Sequence, residues 1–129
     1  MPFVRVTLAG PSPSEATVAA LQAGVTALVA DKLAKRADLT AVLVEGVAPG
    51  GWSVGAAPVT VAAHLDAKVT AGSNSPAQKA DFIAAAHRLL AATLGDALPL
   101  ATYVVVDEVP AESWGYAGLT QAQRARDRA

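Results

Sequence analysis

The sequence contains no cysteine, so it can build no disulfide framework and offers no thiolate to a metal. Its two histidines, His64 and His87, stand 23 residues apart and make no zinc-binding spacing. Charge of either sign is not in excess. Ten basic against eleven acidic residues give a formal charge of -1, which leaves no basic stripe for a phosphate backbone and argues against nucleic acid as a partner. The apolar stretch at residues 1–10 is too short for a signal peptide, and no run of about 18 apolar residues occurs. These readings point to one soluble cytoplasmic domain with no membrane segment.

Within that frame the chain repeats itself. Ser12-Pro13-Ser14-Glu15 and Ser75-Pro76-Ala77-Gln78 both read as helix starts, with a capping serine, a proline in the first turn and a Glu or Gln able to reach back. They stand 63 residues apart. Trp52-Ser53-Val54-Gly55 and Trp114-Gly115-Tyr116 repeat at a spacing of 62. Val18, Leu21, Val25, Leu28, Val29 and Leu33 recur at helical steps, predicting a helix over residues 13–36. Phe82, Ile83, Ala86, Leu89, Leu90 and Leu94 predict a second over 76–94, closed by Gly95.

Runs rich in β-branched residues flank both helices, at 3–8, 40–47, 59–69 and 101–109. The order is β-α-β twice, with repeat units at 2–56 and 58–119. Right-handed crossovers place both helices on one face of a four-stranded sheet, an α/β (α+β) architecture. The other face is left uncovered. Leu43, Val44, Val104, Val105 and Val106 predict apolar side chains on both faces, and hence a homo-oligomer that buries the open one. Residues 120–129, with Arg124, Arg126 and Arg128, read as a frayed polar tail.

Pro2 is the most suggestive single residue. Removal of Met1 before a small residue would expose a secondary amine at the start of a strand. An α-amino group titrates near about 7.7–8.0, and an apolar site lowers that value by disfavouring the charged form. Such an amine can act as a general base or attack a carbonyl.

Pro2 followed by Phe3-Val4-Arg5-Val6, the doubled β-α-β unit and a glycine-flanked aromatic after each unit together resemble the tautomerase superfamily. The chain is most similar to its fused members, in which two units of the 4-oxalocrotonate tautomerase type share one polypeptide. His64 to Gly72 also resembles the corresponding strand of the carboxymethyl-hydroxymuconate isomerases. The resemblance implies a cofactor-free isomerase, a trimer of two-unit chains, and Pro2 as catalytic base. It also implies an internal second start near Pro58, whose nitrogen is locked in an amide, leaving at most one active amine per chain. Trp52 and Trp114, with Tyr116, would supply pocket aromatics.

Arginines that hold dicarboxylates in the family have no counterpart here, where those places read Ser12, Ala41, Asn74 and Tyr103. Lys68, Arg5, the Asn74 amide or helix-start N–H groups would have to serve in their place. Lys68 is the foremost of these, and Arg5 lies on the strand face opposite Val4 and Val6. His64 and Asp66 alternate on one strand face and could pair. Asp107 and Glu108 precede the Pro110 bend, where a carboxylate could activate water in a dehalogenase-type relative. The leading expectation is a tautomerase acting on a small enolisable α-keto or enol acid. The alternatives are a decarboxylase or dehalogenase relative, and a non-catalytic oligomer that binds a small ligand.

Overall fold

The computed structural model describes residues 2–128; Met1, and with it the question of its removal, lies outside the described residues. The first unit runs β1 (Phe3–Ala9), α1 (Glu15–Leu33) and β2 (Ala41–Val47), and ends in the two-residue strands β3 (Ser53–Val54) and β4 (Ala57–Pro58). The second repeats this as β5 (Ala62–Thr70), α2 (Pro76–Leu94), β6 (Val104–Val109), β7 (Gly115–Tyr116) and β8 (Leu119–Thr120), and α3 (Gln121–Arg128) follows. The main sheet has the order β2-β1-β5-β6. Each outer pair is parallel and bridged by its helix, whereas β1 and β5 join the two units antiparallel, with Phe3 opposite Lys68 and Arg5 opposite Asp66.

The expected four-stranded sheet with two helices on one face is present, and alternation explains it. Val4, Val6 and Leu8 of β1 and Leu65, Ala67 and Val69 of β5 point to one side. There they meet Leu21, Val25, Val29 and Leu33 of α1 and Phe82, Ala86 and Leu90 of α2 in a single core. Burying each large side chain of this set contributes roughly 1.5–3 kcal/mol. Ile83 falls off the stripe and is 40% exposed. By length and composition α1 could cross a membrane, but here it lies on the sheet, with alanines such as Ala19, Ala23 and Ala27 on its outer side.

The helix starts differ in one detail from the sequence pattern. Ser75 forms the full capping box, taking the Gln78 N–H while Gln78 Oε1 accepts from the Ser75 N–H. In the first unit the cap is Ser14, not Ser12: its Oγ accepts from the Thr17 N–H at 3.1 Å and the helix begins at Glu15. The caps therefore stand 61 residues apart, from Ser14 to Ser75. α1 also ends before residue 36, because Ala34 turns left-handed at φ 56°. The second start moves too. β5 begins at Ala62, and Pro58 belongs to the β3–β4 hairpin.

The uncovered face is less apolar than the sequence suggested. Leu43 and Val47 on β2, Phe3 at the start of β1 and Val105 on β6 are exposed. Between them, however, the central strands present Arg5, Thr7, His64, Asp66 and Lys68, since every second residue of β1 and β5 points away from the core. Arg5 pairs with Glu45 at 3.3 Å and Lys68 with Asp107 at 2.6 Å. Apart from Phe3, the apolar residues of this face lie on its edge strands, where Glu45 and Asp107 answer the charges of its middle.

A third ion pair ties α2 to the sheet. Lys79 Nζ donates to Glu108 Oε1 at 2.8 Å, and the Gly72 N–H reaches Glu108 Oε2. The Lys79 hydrogen bond, then the Gly72 N–H, hold the Glu108 carboxyl below its ordinary pKa. A depressed folded-state pKa stabilises the fold above the ordinary glutamate range, and that contribution is lost as pH falls through the lowered value. Glu108→Gln is therefore expected to lower the melting temperature near about pH 7 and to cost nothing near about pH 2. Thermal denaturation across that range checks this; an equal loss at both ends would disprove the linkage.

Candidate functional site

Pro2 precedes β1 and is buried, its carbonyl accepting from the Ala41 N–H at 3.2 Å. This bond anchors it where β1 and β2 start side by side. Beside it opens a cavity of about 220 Å³, with Phe3, Leu39 and Ala41 of the first unit on one wall. The opposite wall belongs to the second unit: Trp114, Gly115 and Tyr116 from the β7–β8 hairpin, and Gln121 at the start of α3. Each unit thus supplies half of the pocket.

The hairpin is shaped by its glycines. Ala117 and Gly118 both have positive φ, 51° and 84°, which makes the tight turn whose twist suits a two-residue hairpin. A Cβ at Gly115 would collide with the Leu119 carbonyl, so only glycine lets the two strands close. The Trp114 indole N–H is buried and has no hydrogen-bond partner among the described residues. It is therefore a free donor on a residue that lines the Pro2 pocket.

In place of the expected frayed tail, residues 121–128 form α3. Thr120 Oγ1 accepts from the Gln123 N–H while Gln123 Oε1 accepts from the Thr120 N–H, a reciprocal cap. Gln121 is buried, and its backbone N–H bonds to the Trp114 carbonyl at 2.9 Å. Arg124 lays its guanidinium 3.8 Å from the Tyr116 ring centroid and donates through Nη2 to the Tyr116 carbonyl at 3.0 Å. The tail braces the hairpin that faces Pro2.

Of the residues singled out in the sequence, Pro2, Trp114 and Tyr116 meet in this pocket. The others stand outside its lining. Lys68 is across the strands from Phe3, with its ammonium engaged by Asp107, which holds its pKa above the ordinary value. The Asn74 amide donates to the Leu33 carbonyl and to Gln78 Oε1, joining the end of α1 to the cap of α2. Arg5 lies on the open face with Glu45. Tyr103 lines a different cavity, with Trp52 and His64. His64 and Asp66 share a face but no hydrogen bond joins them, and Asp66 Oδ1 is buried without a partner among the described residues.

Leu39 and Gln121 escaped the sequence reading, which sets Arg124 in a solvated tail. Thr120-Gln121-Ala122-Gln123 carried the same capping pattern used for the other helices, and would have revealed α3. A second cavity of about 270 Å³ shares Gln121 with the Pro2 pocket and is lined by Lys35, Arg36 and Arg128. Lys35 donates to Ser73 Oγ at 2.7 Å, and partial burial pushes its pKa down. Arg36 chelates Asp38, which raises the guanidinium pKa; Tyr116 adds a smaller electrostatic push in the same direction. Cations absent from the Pro2 pocket itself are therefore gathered behind it.

Residues 64–124 match the tautomerase enzyme family. No curated protein matches the chain by sequence. Among solved structures, native fused 4-OT superposes with a TM-score of 0.79 at 23% identity, covering 96% of this chain and 99% of that one. A wild-type fused 4-OT asymmetric trimer gives 0.81 at 22% identity with the same coverage. Pt0534, a protein inactivated by 2-oxo-3-pentynoate, gives 0.84 at 16%, again over 96% and 99% of the two chains. Likeness at this level of identity concerns the fold.

Proposed function

We propose that the chain is a cofactor-independent keto-enol tautomerase with Pro2 as general base, a reading supported by the family match of residues 64–124 and by the fold shared with fused 4-OT. The carrying observation is the placement of Pro2, buried at the head of β1 and facing Trp114, Tyr116 and Gln121 across one small cavity. With Met1 removed, the pyrrolidine nitrogen is a secondary amine in a largely apolar pocket, which favours its neutral, proton-accepting form at neutral pH.

The substrate class follows from the surroundings. Pro2 takes a proton from the carbon next to a ketone, and returns it at another position or at the enol oxygen. The charge that develops on oxygen is met by donors already present, the unpartnered Trp114 indole N–H and the Gln121 amide. Lys35, which lies behind Gln121 and donates to the Ser73 hydroxyl instead of to an acid, attracts a carboxylate, so a small α-keto or enol acid fits. This assigns the carboxylate to a different cation from Lys68 and Arg36, whose charges Asp107 and Asp38 already answer. The working form is a cytoplasmic homotrimer, as fused 4-OT relatives are trimers. Its subunit contacts would cover Leu43, Val47 and Val105 on the edge strands of the open face.

2-Oxo-3-pentynoate tests the amine directly. The Pro2 nitrogen adds to the alkyne carbon remote from the ketone. One of the two π bonds of the C≡C is consumed in forming the N–C bond, leaving a C=C bond, and the proton on nitrogen passes to the neighbouring carbon, so nothing is lost from either partner. Intact-mass spectrometry of untagged protein is expected to show loss of Met1 and one whole-reagent adduct, mapped to Pro2. Retained Met1, or no adduct at Pro2, would overturn the general-base assignment and favour the ligand-binding alternative.

A further inference from the structure

The repeat gives the molecule a second pocket built on the same plan as the first. Aligning the units on their caps and on the buried residues Val4 with Leu65, Val6 with Ala67 and Leu8 with Val69 sets Ala63 in the place of Pro2 and His64 in the place of Phe3. The strand registers, Val4 opposite Val42 and Leu65 opposite Val104, shift the last strand by one further residue and set Tyr103 in the place of Ala41 and Ala101 in that of Leu39. The hairpin swap is reciprocal. The second unit's hairpin covers Pro2, and the first unit's hairpin, with Trp52, Ser53 and Val54, covers Ala63 and His64.

The substitutions change the chemistry of the copy. Ala63 is a mid-chain residue whose nitrogen is an amide, so no amine base exists there. An alanine where proline stood enlarges the space, and this cavity measures about 520 Å³ against about 220 Å³. That lies within the usual range of small-molecule sites, roughly 300–1,000 Å³. An apolar phenyl gives way to an imidazole, which can both accept and donate a hydrogen bond. Thr7 and Ser53 add two rotatable hydroxyls, and Trp52 and Tyr103 two flat aromatic faces.

Charge decides the ligand class. No lysine or arginine lines this cavity, whereas Thr7 Oγ1 is bonded to the Glu45 carboxylate and Asp66 follows His64 on the same strand face. An anion is therefore disfavoured here, in contrast to the Pro2 pocket with its cations behind it. A flat uncharged ring with one hydroxyl satisfies every part of the lining: the ring against Trp52 and Tyr103, the hydroxyl on His64. We infer that the chain carries a second, non-covalent binding site at Trp52, His64 and Tyr103 for an uncharged monocyclic phenol, separate from the Pro2 pocket.

The test uses the full chain in its native assembly, with 4-methylphenol as probe and the histidine ring signals read by NMR. His87→Gln leaves His64 as the single histidine. Saturable displacement of the His64 signals is expected, with a dissociation constant on the order of 1 mM for a ligand this small. Trp52→Ala, and independently Tyr103→Ala at a 67% exposed position that folding tolerates, should each weaken binding about tenfold. Pro2→Ala should leave it unchanged, and 4-methylbenzoate, the anion of similar shape, should not compete. The inference fails if His64 does not respond, if binding ignores both aromatic variants, if it is lost with Pro2→Ala, or if the benzoate binds equally well. Because no outcome depends on the Pro2 amine reacting, the site stands or falls apart from the tautomerase reading.

Discussion

Pro2→Ala, with Met1 still removed, is expected to lower kcat/KM for an enolised α-keto acid by about 10²–10⁴-fold, the range a positioned general base supplies. The variant keeps an amine, so the loss measures what proline adds. One part is placement: the ring fixes φ near about -65° and the Pro2 carbonyl is held by the Ala41 N–H, so the nitrogen can swing little. The other is environment, since loss of the ring admits water around the nitrogen and weakens the apolar surroundings that favour its neutral form. Steady-state turnover of the variant against the parent decides the matter, with mass spectrometry confirming that both have lost Met1. An unchanged rate would remove Pro2 from the chemistry and leave a tautomerase fold without its base. A protein that retains Met1 should be at least as inactive as Pro2→Ala, because its nitrogen is then an amide and no amine is left to accept the proton.

Much of the architecture was legible because it is periodic. α2 spans Pro76–Leu94 as its apolar spacing and its Ser-Pro-Ala-Gln cap indicate, and the doubling of β-α-β emerged from spaced repeats alone. Local ambiguity produced the errors. Ser12 and Ser14 both flank Pro13, and only the geometry of the Thr17 N–H selects Ser14. The polarity of the open face was also available in the chain, since Arg5, Thr7, His64, Asp66 and Lys68 alternate with buried residues; the valines of the outer strands hid it. What no local pattern could disclose is that each hairpin covers the other unit's strand start. That arrangement depends on the antiparallel join of β1 to β5, and it separates Tyr103 and Trp52 from Pro2. The C-terminal arginines were misread for a similar reason. Their composition is that of a solvated tail, and the ring and carbonyl of Tyr116 that hold Arg124 are supplied by a hairpin eight residues earlier.

Gly115→Ala should be the most damaging single substitution outside Pro2, although it adds one methyl group. The added carbon would overlap the Leu119 carbonyl, and its nearest neighbours are all backbone atoms of the facing strand, which cannot turn aside as a side-chain tip would. The hairpin must open, at an overpacking cost of about 1–3 kcal/mol. Opening it moves the Trp114 indole N–H and the Tyr116 ring away from Pro2, and removes the ring and carbonyl that hold Arg124. Displacement of about an ångström at reacting groups is worth on the order of 10²-fold in rate, so kcat/KM should fall by about that factor while the helical signal in circular dichroism stays near the parent's. Gly118→Ala is the control. At φ 84° it strains the turn, by about 1–2 kcal/mol, but its Cβ meets nothing within 4 Å. If collision is what matters, Gly118→Ala loses stability and keeps most of the turnover, whereas Gly115→Ala loses turnover out of proportion to stability. Equal losses in the two would mean that hairpin strain alone sets the effect, and parental turnover in Gly115→Ala would place the hairpin outside the working site.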